Sequence, residues 1–304
     1  MPFCVNCGSE YNPPLSICES CYLDPVILEE NIDRRLRLLS VSNYVDNANF
    51  SYPGERASLA CSIFILAGIS IVLSTISFGV FLGLIVLALV NIKVTSIRTR
   101  GTMVQASKDN LPHLYRLMKL VCYRLKVPML PLYIRQDDNY NAYTMGFLND
   151  AWVVVNSGIL NDFTPDELAF VLGHEVAHVK RRHTTWLTLM SPASQNIASS
   201  LLGGLVQIIF NFWSLKCEHT ADRGGLLAVR DEKAVIMALL KVFTGNKICT
   251  HIDWEKLVQE HEQQDNILVK ATELLGSHPL PAKRISEVYK FRKSRKYHLC
   301  VNAE

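Results

Sequence analysis

Charged residues vanish from the chain between Leu59 and Ile92 and return beyond it in a different rhythm. The stretch reads LACSIFILAGISIVLSTISFGVFLGLIVLALVNI. One membrane-spanning helix needs about 20 residues, with a lower end near 17. The stretch is too long for one ordinary pass and suits two short ones, divided by a turn near Ser77-Phe78-Gly79. Arg34, Arg35, Arg37 and Arg56 precede it, and Lys93, Arg98, Arg100 and Lys108 follow it. Basic residues on both sides favour two flanks facing the cytoplasm. The pattern therefore predicts a transmembrane helical hairpin over 59–92. A single tilted helix is the other reading, and it would put the C-terminal domain across the membrane. A second apolar segment, Trp186 to Trp213, is interrupted by Ser191, Pro192, Ser194, Gln195 and Asn196. It reads as membrane-associated: a third pass, a re-entrant hairpin or a segment lying in the interface.

Elsewhere the spacing of apolar positions predicts ordinary helices and strands. Residues 26–58 read as a short helix, with Ile32, Leu36 and Leu39 on one face, followed over 41–58 by a linker rich in Asn, Ser, Pro and Gly. Asp109 to Lys126 carries an apolar stripe of Leu114, Leu117, Met118 and Val121, a helical spacing. Leu132–Arg135, Asn141–Phe147 and Ala151–Val155 read as strands, the last two joined by a turn at Leu148-Asn149-Asp150. A helix is then announced by its own start signal. Thr164 is a good N-cap, Pro165 suits the first helical position and Glu167 completes a capping box. Its run extends to about Arg182, and a further helix is expected from about Cys217 to Val229. These elements make an α+β domain, mainly helical with a small β-sheet, over 93–304.

Composition narrows the classes. The 304 residues are 49% hydrophobic and 19% charged, which excludes collagen-like and wholly disordered chains. A formal charge of +3 is too small to make nucleic acid the main partner. The mean hydropathy of +0.15 agrees with a membrane segment. Of nine Cys, four are clustered as Cys4-x-x-Cys7 and Cys18-x-x-Cys21. Paired C-x-x-C units fit a structural four-thiolate zinc site, so residues 1–25 read as a zinc ribbon or knuckle. A segment this short takes its folding energy from metal. Disulfide-bonded and redox-active readings are the competitors. No signal peptide is apparent in Met1 to Glu10, and a thiolate site implies a reducing compartment.

The chemistry concentrates at residues 174–178, HEVAH. His174 and His178 share one face of a helix and can reach one zinc ion. Glu175 can lie beside the open coordination position and take a proton from water activated there. The bare pattern occurs by chance, and a solvated helix face is the competing reading. Here the flanking residues Phe170, Val171, Leu172, Val176 and Val179 are apolar, so two His and a Glu in a buried helix need partners. For the third ligand the leading candidate is Glu218, in EHTAD. Asp222, one turn later, can orient a ligating His through its other ring nitrogen. His183 and His219 are rivals. His183 is five residues after His178 and off the ligand face of a continuous helix. Two His and one Glu leave a fourth position for water, the arrangement of a catalytic zinc site.

HEVAH with EHTAD some forty residues on resembles the HtpX-like and CAAX-prenyl-protease-type integral membrane zinc metallopeptidases. The resemblance covers roughly residues 100–290 and includes Asn141-Ala142-Tyr143 with Gly146, the run Val153 to Leu160, and Ser277-His278-Pro279 with Arg284. It implies a zincin-type fold in which His174, His178 and Glu218 bind zinc and Glu175 is the general base. It further implies that His278 and Arg284 stabilise the oxyanion and that Asn141 hydrogen-bonds substrate backbone. The low membrane content fits the HtpX-like subgroup better than a prenyl protease. The expectation is a membrane-anchored zinc endopeptidase with one catalytic and one structural Zn2+, integral to the membrane with its catalytic domain facing the cytoplasm. Its partners would be protein or peptide substrates, membrane or misfolded proteins among them, and membrane lipid. The alternative is a catalytically idle, membrane-anchored zinc-binding scaffold. The Cys module has no Lys or Arg within residues 1–21 and only Phe3 and Tyr11 as aromatics, so no nucleic acid is expected there either.

Overall fold

The computed structural model describes residues 50–65, 67–68, 71, 86, 90, 93–94, 97–147, 150–187, 201–264 and 279–302. In chain order the strands are β1 (Val104–Ala106), β2 (Leu132–Arg135), β3 (Ala142–Phe147) and β4 (Asp150–Asn156). The helices are α1 (Pro112–Arg124), α2 (Ser157–Asp162), α3 (Pro165–Lys180), α4 (Leu201–Val229), α5 (Glu232–Thr244), α6 (Asn246–Cys249), α7 (Trp254–Gln264), α8 (Pro281–Arg292) and α9 (Arg295–Asn302). The result is a mostly helical domain with a small mixed sheet, and three strands and two helices fall close to where the periodicity puts them.

The sheet runs β1-β2-β4-β3. β4 pairs parallel with β2 and antiparallel with β3, with Ala142 opposite Val155 and Thr144 opposite Val153. Central β4 is buried on both faces because its side chains alternate between two cores. Val153 and Val155 point into the main core with the helices, while Trp152 and Val154 join Tyr133 in a smaller cluster on the other face. That leaves β3 at the sheet edge, beside α3.

The seam between α3 and α4 is made of small residues. A Cβ on Gly173 would meet the Ala228 methyl at 2.5 Å, one on Gly225 would meet Phe170 at 2.5 Å, and one on Gly224 would collide with Ala177. The two backbones therefore touch, and side chains on either side of the seam face each other at short range. Gly173 makes room for α4 itself. The α4 helix also starts sixteen residues earlier than the expected Cys217, a run for which no start signal was apparent.

The transmembrane hairpin is corrected by the structure. Among the described residues no helix is long and apolar enough to cross a membrane. Apolar length is necessary for a span but serves packing equally well. Where the stretch begins, Leu59 packs with Trp186, Leu187, Phe210, Trp213 and Cys217 in a satellite core, which also uses both ends of the second apolar segment. Most of 59–92 and residues 188–200 lie outside the described residues. The structure thus gives no support to a membrane-anchored, integral membrane protein with a cytoplasm-facing catalytic domain, or to a membrane-associated segment at 186–213. The four-Cys ribbon (Cys4, Cys7, Cys18, Cys21) also lies outside the described residues and is no part of the fold seen. Cys61, Cys122, Cys217, Cys249 and Cys300 are free thiols.

Candidate metal centre

The site is built on α3, whose start follows its sequence closely. The Thr164 hydroxyl accepts from the Glu167 N–H at 3.3 Å, and the Glu167 carboxylate accepts from the Thr164 N–H at 2.8 Å. Buried Lys241 on α5 donates to the same carboxylate at 2.7 Å, which ties the helix start into the domain. Two turns on from Glu167, His174 and His178 emerge within reach of α4.

Their Nε2 atoms stand 3.2 Å apart. Glu218 on α4 completes the group, with one carboxylate oxygen 3.7 Å from His174 Nε2 and the other 3.5 Å from His178 Nε2. All three residues are at most slightly exposed. Among the described residues, this is the one group of three or more His, Cys, Asp and Glu side chains able to hold a metal ion. No second, structural site is seen among the described residues, and Cys4, Cys7, Cys18 and Cys21, on which the sequence reading placed it, lie outside them.

The donor set fits zinc. His174 Nδ1 lies 3.0 Å from Asp222 Oδ1, so its proton goes there and Nε2 keeps its lone pair. Two ring lone pairs and a carboxylate then converge in a buried pocket, an arrangement that repels itself unless a cation sits between them. The proton affinity of His178 reports the same field. Burial lowers it, but the hydrogen bond and charge of Glu218, then the charges of Glu175 and Asp222, outweigh burial and raise it above the ordinary imidazole value.

Glu175 lines the cleft beside the cluster. The Thr144 hydroxyl, reaching over from β3, donates to its carboxylate at 2.7 Å. Arg284 on α8 is buried and grips Asp222 with two nitrogens, Nε to Oδ2 at 2.8 Å and Nη2 to Oδ1 at 2.6 Å. Its Nη1 stands 3.9 Å from Glu218. Burial alone would push the Asp222 carboxyl up, but the Arg284 charge and the hydrogen bonds from Arg284 and His174 hold it far below the usual carboxylate range. Asn141 is exposed at the cleft mouth, just before β3, and its carbonyl accepts from the Asn156 N–H at 3.0 Å. His278 lies outside the described residues. The cleft is about 250 Å³, and much of its wall is apolar, with Phe170, Val171, Leu187, Leu239, Val242 and Phe243.

The two rival ligands are elsewhere. His219 stacks on Tyr52 at 4.8 Å, its imidazole pushed down to about 4 mainly by burial. His183 sits behind His178, Nδ1 to Nδ1 at 3.1 Å, outside the donor group. Three polar residues around the site escaped the sequence reading: Thr144, His183 in its actual place, and Glu55. The strand over Thr144 was legible, and alternation from Ala142 puts Thr144 on the Ala142 face. Glu55 carried no local signal.

Comparison with known proteins agrees with this geometry. The model of Peptidase family M48 matches residues 110–292. The chain is 30% identical over 217 residues to the Plastoglobule-localized metallopeptidase 48, chloroplastic, of Arabidopsis thaliana, covering 65% of this chain and 62% of that protein. It is 32% identical over 124 residues to the Protease HtpX homolog 2 of Methanosarcina acetivorans, 40% of each chain. The chain thus spans less than two thirds of either relative.

Proposed function

The chain belongs to peptidase family M48, and on that premise we propose that it is a zinc-dependent endopeptidase acting on extended segments of protein or peptide substrates. The observation that carries this reading is the convergence of His174, His178 and Glu218 on one point, with Glu175 on the wall of the same cleft. His174, His178 and Glu218 would hold the metal. Zinc, when bound, polarises the scissile carbonyl and makes water a better nucleophile at neutral pH. Glu175 takes the proton from the attacking water and returns it to the leaving amine. The Thr144 hydroxyl keeps that carboxylate aimed into the cleft. Because β3 is an edge strand, its outer N–H and C=O groups can pair with substrate main chain, which puts Asn141 at one end of the docked segment. Arg284 keeps Asp222 in place and adds positive charge at the cleft, where the tetrahedral oxyanion develops.

The test uses purified full-length protein with Glu175→Gln. The variant should bind metal like the parent and lose hydrolysis of an unstructured protein such as casein by about 10²-fold or more. Hydrolysis at the parent rate, or parent activity that survives complete chelation of zinc, would overturn the reading.

A further inference from the structure

The helix that carries HEVAH stops at Lys180, with Arg181 as its C-cap. Arg182 then takes a left-handed conformation, φ 59°. That reversal returns His183 beneath His178, with the two rings edge-on at 5.2 Å. His183 is 1% exposed and packs edge-on against Trp213. Its Nε2 stands 3.2 Å from Oε1 of Glu55, in ion-pair range though off the line of a straight hydrogen bond.

Glu55 opens a helical stretch well upstream of the family-matched residues, yet it is 4% exposed and wired into the site. Arg181 donates to its Oε1 at 2.9 Å, and the Thr220 hydroxyl donates to its Oε2. Thr220 lies two residues beyond Glu218 and itself accepts from the Tyr52 N–H at 2.8 Å. Burial works against the Glu55 charge, but His183, Thr220 and Arg181 together hold the carboxyl at about 2. His183 and His178 meet Nδ1 to Nδ1 at 3.1 Å, a contact that needs one donor and one acceptor, so the two facing nitrogens share a single proton.

One proton assignment fits the row, its last step a close approach of His183 Nε2 to the Glu55 carboxylate and not a hydrogen bond. To offer a lone pair at Nε2, His178 must carry its proton on Nδ1. The atom facing that proton is His183 Nδ1, which must accept it. A neutral His183 then carries its own proton on Nε2, facing Glu55. His174 has the same arrangement in shorter form, with Asp222 as the direct acceptor. Each imidazole in the cluster is thus backed by a buried carboxylate, one directly and one through a second imidazole.

We propose that Glu55 is a positioning residue of the metal centre, acting through His183 to fix the tautomer and ring orientation of His178. This rests on the zinc reading above. It makes the segment around residue 55 part of the working site. The competing role for Glu55 is a bolt between Arg181 and Thr220 with no bearing on the metal.

The experiment measures zinc release from full-length protein into excess chromogenic chelator, beside melting of the metal-free protein and steady-state kinetics. The proteins are the parent, Glu55→Ala, the isosteric Glu55→Gln, Arg181→Gln and His178→Ala. Glu55→Ala should release zinc roughly tenfold faster or more, as outer-shell partners of metal ligands do when removed. Glu55→Gln, which can still present an amide oxygen to His183, should fall between Glu55→Ala and the parent. In both, kcat should fall with little change in KM. Arg181→Gln severs the ion pair and leaves the histidine row intact, so it should release zinc within about twofold of the parent even if it melts earlier. Release at the parent rate in both Glu55 variants would overturn the proposal. So would release that quickens in Arg181→Gln as much as in Glu55→Ala. His178→Ala separates the failures. If it keeps the parent's metal content, the zinc reading itself is wrong, whereas its loss of metal beside parent-like Glu55 variants sinks the relay alone.

Discussion

Replacing Asp222 with Asn changes no volume and removes one charge, which makes it a sharp probe of the site. Asp222 Oδ1 accepts from Arg284 at 2.6 Å and faces His174 Nδ1 at 3.0 Å, while Oδ2 accepts from Arg284 Nε at 2.8 Å. An amide has one acceptor atom. Turned one way, its NH2 opposes Arg284 Nε. Turned the other, it opposes both Arg284 Nη2 and His174 and favours the His174 tautomer that has no lone pair to give at Nε2. The first orientation is cheaper, but it leaves a buried guanidinium without its carboxylate. Breaking a buried pair by removing one partner costs about 3–5 kcal/mol, and Glu218 at 3.9 Å offsets part of it. In a domain of this size about 1 kcal/mol moves Tm by roughly 2–4 °C, so metal-free Asp222→Asn should melt about 6–15 °C below the parent. Zinc affinity should fall roughly 10–100-fold, the usual cost of an outer-shell partner. Calorimetry of the metal-free proteins and competition against a chelator of known affinity check both figures. If the variant melts within about 2 °C of the parent and holds zinc equally well, the pairs to Arg284 and His174 carry little energy and the account of the site is wrong.

Two other substitutions test the same geometry. Thr144→Val removes the hydroxyl that donates to Glu175, a hydrogen bond to a charged group worth about 1.5–3 kcal/mol, so kcat should fall roughly tenfold with KM little changed, and Thr144→Ser should restore it; parent-like kcat in the Val variant would refute the role. Gly225→Ala places a methyl 2.5 Å from the Phe170 ring and 2.9 Å from its carbonyl, so it should cost about 1–3 kcal/mol and weaken zinc binding; an unchanged melting curve would show that the α3–α4 seam can part freely.

The chemistry was legible because it is local in sequence. HEVAH places two ring nitrogens by helix geometry alone, and Thr164-Pro165-Asp166-Glu167 marks the start of that helix without ambiguity. Asp222 was legible too, being one turn from Glu218. That His183 is not a ligand was legible from its spacing, but its contact with His178 was not, because a left-handed Arg182 cannot be seen in a run of Lys and Arg. Glu55 was out of reach for a different reason. It touches α3 and α4 only through tertiary contacts spanning more than a hundred residues, and a single Glu entering an apolar stretch looks like a flank. The same stretch misled the reading of 59–92, since a run rich in Leu, Ile and Val has the same pattern whether lipid or protein covers it.

The α3–α4 seam decides what metal does for this protein. Where a small domain folds around its ion, the ion sets the distance between ligand-bearing segments, and removing it releases the chain. Here backbone contact at Gly173, Gly224 and Gly225 acts as the ruler, and the imidazoles and Glu218 hang from rails whose gauge is already set. The entropy of gathering the ligands is settled when the core forms, before any ion arrives. Zinc then enters as a reagent loaded into a finished vessel. The fold can survive stripping and recharging, and a different divalent ion of similar size meets the same fixed spacing.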